Sequence, residues 1–232
     1  MSNKMNTFRV LGLLLSYPQP KWLDQLDGCR AILEEEGLLT GKSLNAALSF
    51  MDTLERRDLF SLQEDYVATF DRGRAHSLHL FEHIHGESRD RGQAMVNLSE
   101  TYAKKGLYID RAELPDYLPL FLEFLSCCDA REATDLLGEP VEVIAAIGQR
   151  LKEKDSPYSA VFGALLALSG SRPRQGWLRE LLSATPPEES LESLDREWEE
   201  SAAFAPRGEQ RDCMNCTAHH GGVPGKAGRQ GV

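Results

Sequence analysis

The sequence predicts an all-α fold, a single bundle of helices. Apolar residues return every three or four positions along most of the chain, the period of a helix that buries one face. Proline, glycine and capping hydroxyl or acidic residues stand between these stripes, where helices start and stop. The apolar runs show no strand-like alternation.

Each element follows from its own residues. Phe8, Leu11, Leu14 and Leu15 share one face, and Pro18 and Pro20 end that helix. Trp22, Leu26, Cys29 and Leu33 form the next stripe, closed by Gly37; Leu44, Ala47, Leu48, Met51 and Leu54 form a third. Ser61 and Glu64 have capping-box spacing ahead of Leu62, Tyr66, Val67 and Phe70, and Gly73 follows. Ser88 is expected to cap a helix carrying Ala94, Met95, Leu98 and Tyr102. The strongest helix runs from Leu114-Pro115, a first-turn proline, through Tyr117, Leu118, Phe121, Leu122, Leu125 and Cys128. Ser156-Pro157 introduces Tyr158, Val161, Phe162, Leu165 and Leu166, and Thr185 with Pro186, Pro187 and Glu188 introduces Leu191, Leu194 and Trp198.

The chain has 232 residues with 41% hydrophobic and 27% charged content, enough to bury a core. Its 36 acidic against 26 basic residues give a formal charge of -10, which opposes the counterion release that drives nucleic-acid binding. The same field favours a cationic or amphipathic polypeptide partner. The longest clean apolar run, Val161 to Leu168, falls far short of the roughly 20 residues of a membrane span, so a soluble protein without membrane insertion is expected. Lys4 and Arg9 precede a short apolar core with no small-residue cleavage site, which predicts a first helix and not a signal peptide. Five cysteines do not form a secreted disulfide framework, and a reducing cytoplasm fits them. Residues 1–204 are expected to be the helical domain, and 205–232 a disordered glycine-rich tail. Between Glu188 and Glu200 seven acids and one arginine form either a solvated helix face or a dock for a basic partner.

Chemistry concentrates between Asp71 and Gln93, which hold four of the six histidines. His79-x-x-Glu82-His83 matches an inverted zinc-peptidase spacing, in which two imidazoles hold the metal and the carboxylate activates water. The plainer reading, ordinary helix residues, is preferred because no third ligand stands out. Gly86 to Gly92 mixes both charge signs, but lacks the Lys-Ser/Thr of a phosphate loop. It is either a surface ion-pair network or a recognition surface. Cys213, Cys216, His219 and His220 are zinc ligand types at half-site spacing, though in the tail, so no resident metal or cofactor is expected. No G-x-S-x-G context supports acyl transfer.

The segments F-D-R-G-R from Phe70 and L-F-E-H-I-H-G-E-S-R-D-R-G-Q-A-M to Met95 resemble the signature of NarJ-type nitrate reductase chaperones. Glu113-Leu114-Pro115-Asp116-Tyr117-Leu118-Pro119 is similar to the E-x-P-D-H hinge segment of the wider TorD-like family of redox-enzyme maturation chaperones, with Tyr117 where that family often has histidine. Leu14 to Pro18 and the W-E-E at Trp198 resemble weaker family features.

The resemblance implies a TorD-like all-α bundle with a hinge near 110–119 and no enzymatic activity. It implies a cytoplasmic chaperone for nitrate assimilation, of the unfolded-protein-binding kind. Such a chaperone binds the N-terminal segment of the respiratory nitrate reductase catalytic subunit and holds the apo-enzyme ready for molybdenum cofactor insertion and membrane attachment. Cofactor biosynthesis proteins are further partners. A chaperone for another molybdoenzyme shares every feature. The resemblance puts Arg72, Arg74, Phe81, Glu82, His83, His85, Glu87, Arg89, Asp90 and Arg91 in the client-binding or groove-shaping set, and Asp116 and Tyr117 near the hinge. A zinc-dependent hydrolase using His79, Glu82 and His83 is the alternative of a different class.

Overall fold

The computed structural model describes residues 5–72, 74–85, 88–109 and 113–184. In chain order the helices are α1 (Asn6–Leu14), α2 (Pro20–Leu23), α3 (Leu26–Glu36), α4 (Gly41–Arg56), α5 (Leu59–Tyr66), α6 (Leu80–His85), α7 (Arg89–Lys104), α8 (Leu118–Leu125), α9 (Ala130–Gly138), α10 (Val141–Glu153), α11 (Ser159–Leu168) and α12 (Gln175–Ala184). A π-type turn over Val67–Asp71 and a 3-10 turn over Arg74–His76 lead from α5 towards α6. The described residues hold no strand, and their one β-type pairing is an antiparallel bridge between His79 and Tyr117.

The core forms around α1. Phe8, Leu11, Leu14 and Leu15 are fully buried, as their spacing predicts, and α1 packs on α8, α3 and α11. The pair α1–α8 is antiparallel: Met5 N–H donates to the Ser126 carbonyl at one end (3.2 Å), while the Tyr66 hydroxyl bridges Leu15 to Tyr117 at the other. Gly12 permits this approach, because a Cβ there would stand 3.0 Å from the Pro119 carbonyl oxygen and 3.3 Å from Leu122 Cβ. Helix α11 buries Val161, Phe162, Ala164 and Leu165 between α4 and α10.

Two helix starts are capped from far along the chain. No local side chain caps α1; the Glu36 carboxylate, from the end of α3, accepts the N–H groups of Asn6 and Thr7 (both 2.8 Å) and the Thr7 hydroxyl (2.7 Å). Asp116 serves α6 in the same way.

Several boundaries differ from the sequence expectation. The strong helix begins at Leu118 and not at Leu114-Pro115; Pro119 occupies its first turn, and residues 113–117 run as a connecting segment because their backbone pairs with residues 78–80. Helix α5 is capped by Asp58, whose carboxylate accepts the Ser61 N–H (3.0 Å), so Ser61 lies inside the first turn. The stripe Trp22 to Leu33 divides into α2 and α3, with Gly37 as the left-handed residue that ends α3. Helix α11 starts at Ser159, two residues beyond Pro157. The helix expected after Thr185, the acidic segment and the tail lie outside the described residues.

Candidate functional site

Asp116 organises a polar knot. Its residue is fully buried (0% exposed), and its backbone carbonyl accepts the Leu80 N–H (3.0 Å) while Oδ2 accepts the Phe81 N–H (3.1 Å). The first turn of α6 is therefore capped by a residue that precedes α8, which ties the two helix starts together. Oδ1 faces His79 Nδ1 at 3.2 Å, and Arg91 Nη2, from the first turns of α7, stands 3.8 Å from Oδ2. Arg91 also donates to Glu82 Oε1 (3.2 Å), whose other oxygen accepts the Ser77 hydroxyl. His83 Nε2–H donates to the Ser77 carbonyl (2.9 Å). The buried carboxylate is thus matched by a guanidinium, an imidazole and one backbone donor, the Phe81 N–H, the arrangement a buried charge requires.

The two histidines respond in opposite directions. The hydrogen bond to Asp116 holds the His79 imidazole above its ordinary value, against partial burial. Burial pushes His83 below its ordinary value.

These contacts remove the zinc reading. His79 precedes α6 and lies in the bridge to Tyr117, so it does not share a helix face with His83 at one-turn spacing. His83 Nε2 is engaged by the Ser77 carbonyl. Among the described residues no group of three or more His, Cys, Asp or Glu side chains is placed to hold a metal. Cys213, Cys216, His219 and His220 lie outside those residues.

On the other side of Asp116, Tyr117 faces a long cleft of ≈ 970 Å³. Its base is the antiparallel pair α1–α8, with Leu13, Leu120 and Phe124. One wall carries Trp22 and Ile32 of α2 and α3; the other carries Tyr102 of α7 and the following Leu107, Tyr108 and Ile109. Tyr108 is 79% exposed, an open aromatic at the rim. From Asn6 to Ser16 the cleft follows α1 for about 15 Å, the rise of about ten helical residues. Its charged lining is Arg9, Glu113 and Glu123.

The knot holds the cleft's walls. Tyr117 packs on His79 with tilted rings, centroids 5.4 Å apart, and its hydroxyl meets that of Tyr66 at 3.2 Å. Tyr102 donates its hydroxyl to the Pro115 carbonyl (2.7 Å) and packs on Phe124 at 4.6 Å, which fixes α7 against the segment before α8. Burial raises the hydroxyls of Tyr66, Tyr102 and Tyr117 above the ordinary phenol value, so all three act as neutral hydrogen-bonding groups.

The residues singled out by sequence separate into three places. Glu82, His83 and Arg91 join the knot, with His79, Asp116 and Tyr117. Phe81 and His85 are partly buried on α6, with rings 5.8 Å apart. Arg72, Arg74, Arg89 and Asp90 are exposed and are not among the cleft's lining residues. Glu87 lies outside the described residues. Sequence reasoning missed the cleft itself. The available signal was Leu107-Tyr108-Ile109 directly after Gly106, an apolar run too short to form a helix.

Residues 37–164 match the family described as the nitrate reductase delta subunit. The chain is 39% identical over 197 residues to NarW of Escherichia coli (strain K12), assigned as a nitrate reductase molybdenum cofactor assembly chaperone, with 84% of this chain and 82% of that protein covered. It is 37% identical over 202 residues to the nitrate reductase molybdenum cofactor assembly chaperone NarJ of the same strain, covering 86% and 85%. In structure it is similar to an Archaeoglobus fulgidus protein assigned to redox enzyme maturation, at a TM-score of 0.52 and 24% identity, with 72% of this chain and 93% of that one covered. That likeness bears on the fold alone. Among the described residues no helix is long and apolar enough to cross a membrane.

Proposed function

The chain belongs to the nitrate reductase delta subunit family, whose members are assembly chaperones and not catalysts, and from that premise we propose that it binds the N-terminal segment of the apo catalytic subunit of a respiratory nitrate reductase in the α1–α8 cleft. Holding that segment keeps the subunit open for molybdenum cofactor insertion and delays its attachment to the membrane. Cofactor biosynthesis proteins act on the held complex.

The single observation that carries this reading is the cleft: a trough about ten helical residues long, lined by apolar and polar side chains together, with an aromatic rim and two carboxylates against one guanidinium. An amphipathic segment lays its apolar face into such a trough, and basic side chains on its polar face meet an acidic protein of net charge -10. The knot residues Glu82, His83, Arg91 and Asp116 shape the groove without touching the client. Their role is to keep Tyr117 and the start of α8 in place.

Calorimetric titration with a synthetic peptide of the cognate catalytic subunit's N-terminus tests the proposal. Saturable binding with a negative heat-capacity change, weakened by added salt, is expected. No binding at either low or high salt removes the N-terminal peptide as the client element.

A further inference from the structure

The two ends of the cleft are chemically unlike. At the end formed by Ser16, Tyr17 and Tyr117, donors are already spent within the chain. Trp22 Nε1–H goes to the Tyr17 carbonyl (3.0 Å), Ser16 Oγ–H to the Gly12 carbonyl (3.0 Å), and Gln63 Nε2–H to the Pro18 carbonyl (2.8 Å). The Tyr66 hydroxyl donates to the Leu15 carbonyl (3.0 Å), so in its contact with Tyr117 at 3.2 Å the proton must come from Tyr117. Tyr117 Oη keeps its acceptor capacity, and the Glu113 carboxylate lines the same cleft. Glu113 and Asp71 both act electrostatically on that hydroxyl, behind the larger effect of its burial. The remaining groups, the Tyr17 hydroxyl and the Gln19 amide, can accept as readily as donate.

The opposite end carries Asn6, Arg9, Glu123 and Cys127. Arg9 is exposed and makes no ion pair within 4.0 Å among the described residues, so its positive charge stands open at that end. Cys127 is an exposed thiol there, whereas Cys29 and Cys128 are buried.

Resting on the proposed binding of an N-terminal segment, we infer that the cleft reads the direction of its occupant: the α-ammonium group sits at the Tyr117–Glu113 corner and the segment runs parallel to α8 towards Arg9 and Cys127. The corner accepts hydrogen bonds and carries negative charge, which suits a primary ammonium with three donors. Arg9 offsets the pull of Glu123 on an ammonium group at that end and attracts the C-terminal carbonyls of a helical occupant, whose dipole is then aligned favourably at both ends. A free chain start is the one cation that every N-terminal segment carries whatever its sequence. The corner therefore selects chain starts over internal segments of similar apolarity.

Two measurements test the direction, on the full chain with Cys213→Ser and Cys216→Ser. The first uses N-terminal peptides that keep the α-amino group free and carry a bromoacetyl group on a side chain at either the second or the last residue. Thioether formation at Cys127 is expected at least tenfold faster with the last-residue label, and is abolished by Cys127→Ser. Faster alkylation by the second-residue label overturns the direction. The second compares free and N-acetylated peptide: acetylation is expected to weaken binding about fivefold in the parent and to have no effect in Glu113→Gln, as expected for loss of one exposed charge contact. Equal loss in both proteins overturns the corner while leaving the cleft reading standing. If no peptide binds, with or without acetylation, the cleft reading falls and the direction falls with it.

Discussion

On one side of the Asp116–Tyr117 peptide, side chains from before and within α6 and from α7 are tied to one another and to the backbone, and the central carboxylate is sealed from water. On the other side, apolar side chains of α1, α2, α3 and α8 and of the segment after α7 line an open trough. The difference separates holding from binding. Buried charge in a closed network specifies one geometry, because any partner left alone costs its full desolvation. Half-buried apolar surface specifies little by itself, but gains from whatever covers it. A chaperone that must release its client needs the second surface kept in shape by the first.

The largest effect is expected from breaking the knot. Asp116→Ala removes the trans cap of α6, leaves the Phe81 N–H without its buried acceptor and takes from Arg91 one of its two carboxylate partners, a loss of about 3 kcal/mol read as a drop in denaturant midpoint. Asp116→Asn, which keeps one acceptor oxygen, should lose less. If the alanine variant unfolds at the parent's midpoint, the knot does not hold the frame.

Next comes the floor that both regions share. Gly12→Ala places a methyl group 3.0 Å from the Pro119 carbonyl oxygen, so α1 and α8 must separate. A cost of about 1–3 kcal/mol is expected from overpacking, accompanied by weaker client binding because the base of the cleft shifts. Crystallographic or NMR comparison of the α1–α8 spacing distinguishes this from a local loss of helicity, which alanine does not cause.

The smallest effect concerns His79. Its folded value is raised, so its contribution to stability is fully present below the unfolded value of 6.5 and is lost as pH rises through the folded value. His83 works in the opposite sense, contributing above 6.5 and losing that contribution as pH falls. His79→Gln should therefore flatten the alkaline decline in melting temperature above pH 6.5, while His83→Gln should flatten the acid decline below it. Parallel melting profiles for parent and His79→Gln across that window contradict the Asp116 contact.

How far the sequence reveals these regions depends on the range of the interactions that build them. The stripes of α1 and α4 are local, and Phe8, Leu11, Leu14, Ala47, Met51 and Leu54 are all buried where their period puts them. Gly37 ends α3 for a reason visible in one residue. The start of α8 is not local, because Asp116 gives both its carbonyl and its carboxylate to α6, 35 residues upstream, and so cannot sit inside a helix of its own. Glu36 capping α1 from 30 residues away escapes spacing arguments in the same way. In the site, His79, Glu82, Arg91 and Asp116 attract notice as residue types, yet their mutual pairing appears only in three dimensions. Trp22, read as a core residue from its spacing, also lines the trough, together with Leu13 and Leu120, which stand beside the buried stripes of their helices. A core face and a binding face differ in what covers them, and sequence period records only that they are apolar.

One titration tests the central claim most directly: calorimetry of the N-terminal client peptide against the parent, against Leu120→Ser in the cleft, and against Arg72→Ala with Arg89→Ala on the exposed surface. The cleft variant is expected to bind at least tenfold more weakly, the effect of about 1.4 kcal/mol of lost apolar contact, while keeping most of the parent's melting temperature; the arginine variant should bind as the parent does. Parent-like affinity in Leu120→Ser together with lost binding in the arginine variant contradicts the cleft as the client site and moves it to the surface beside α6 and α7.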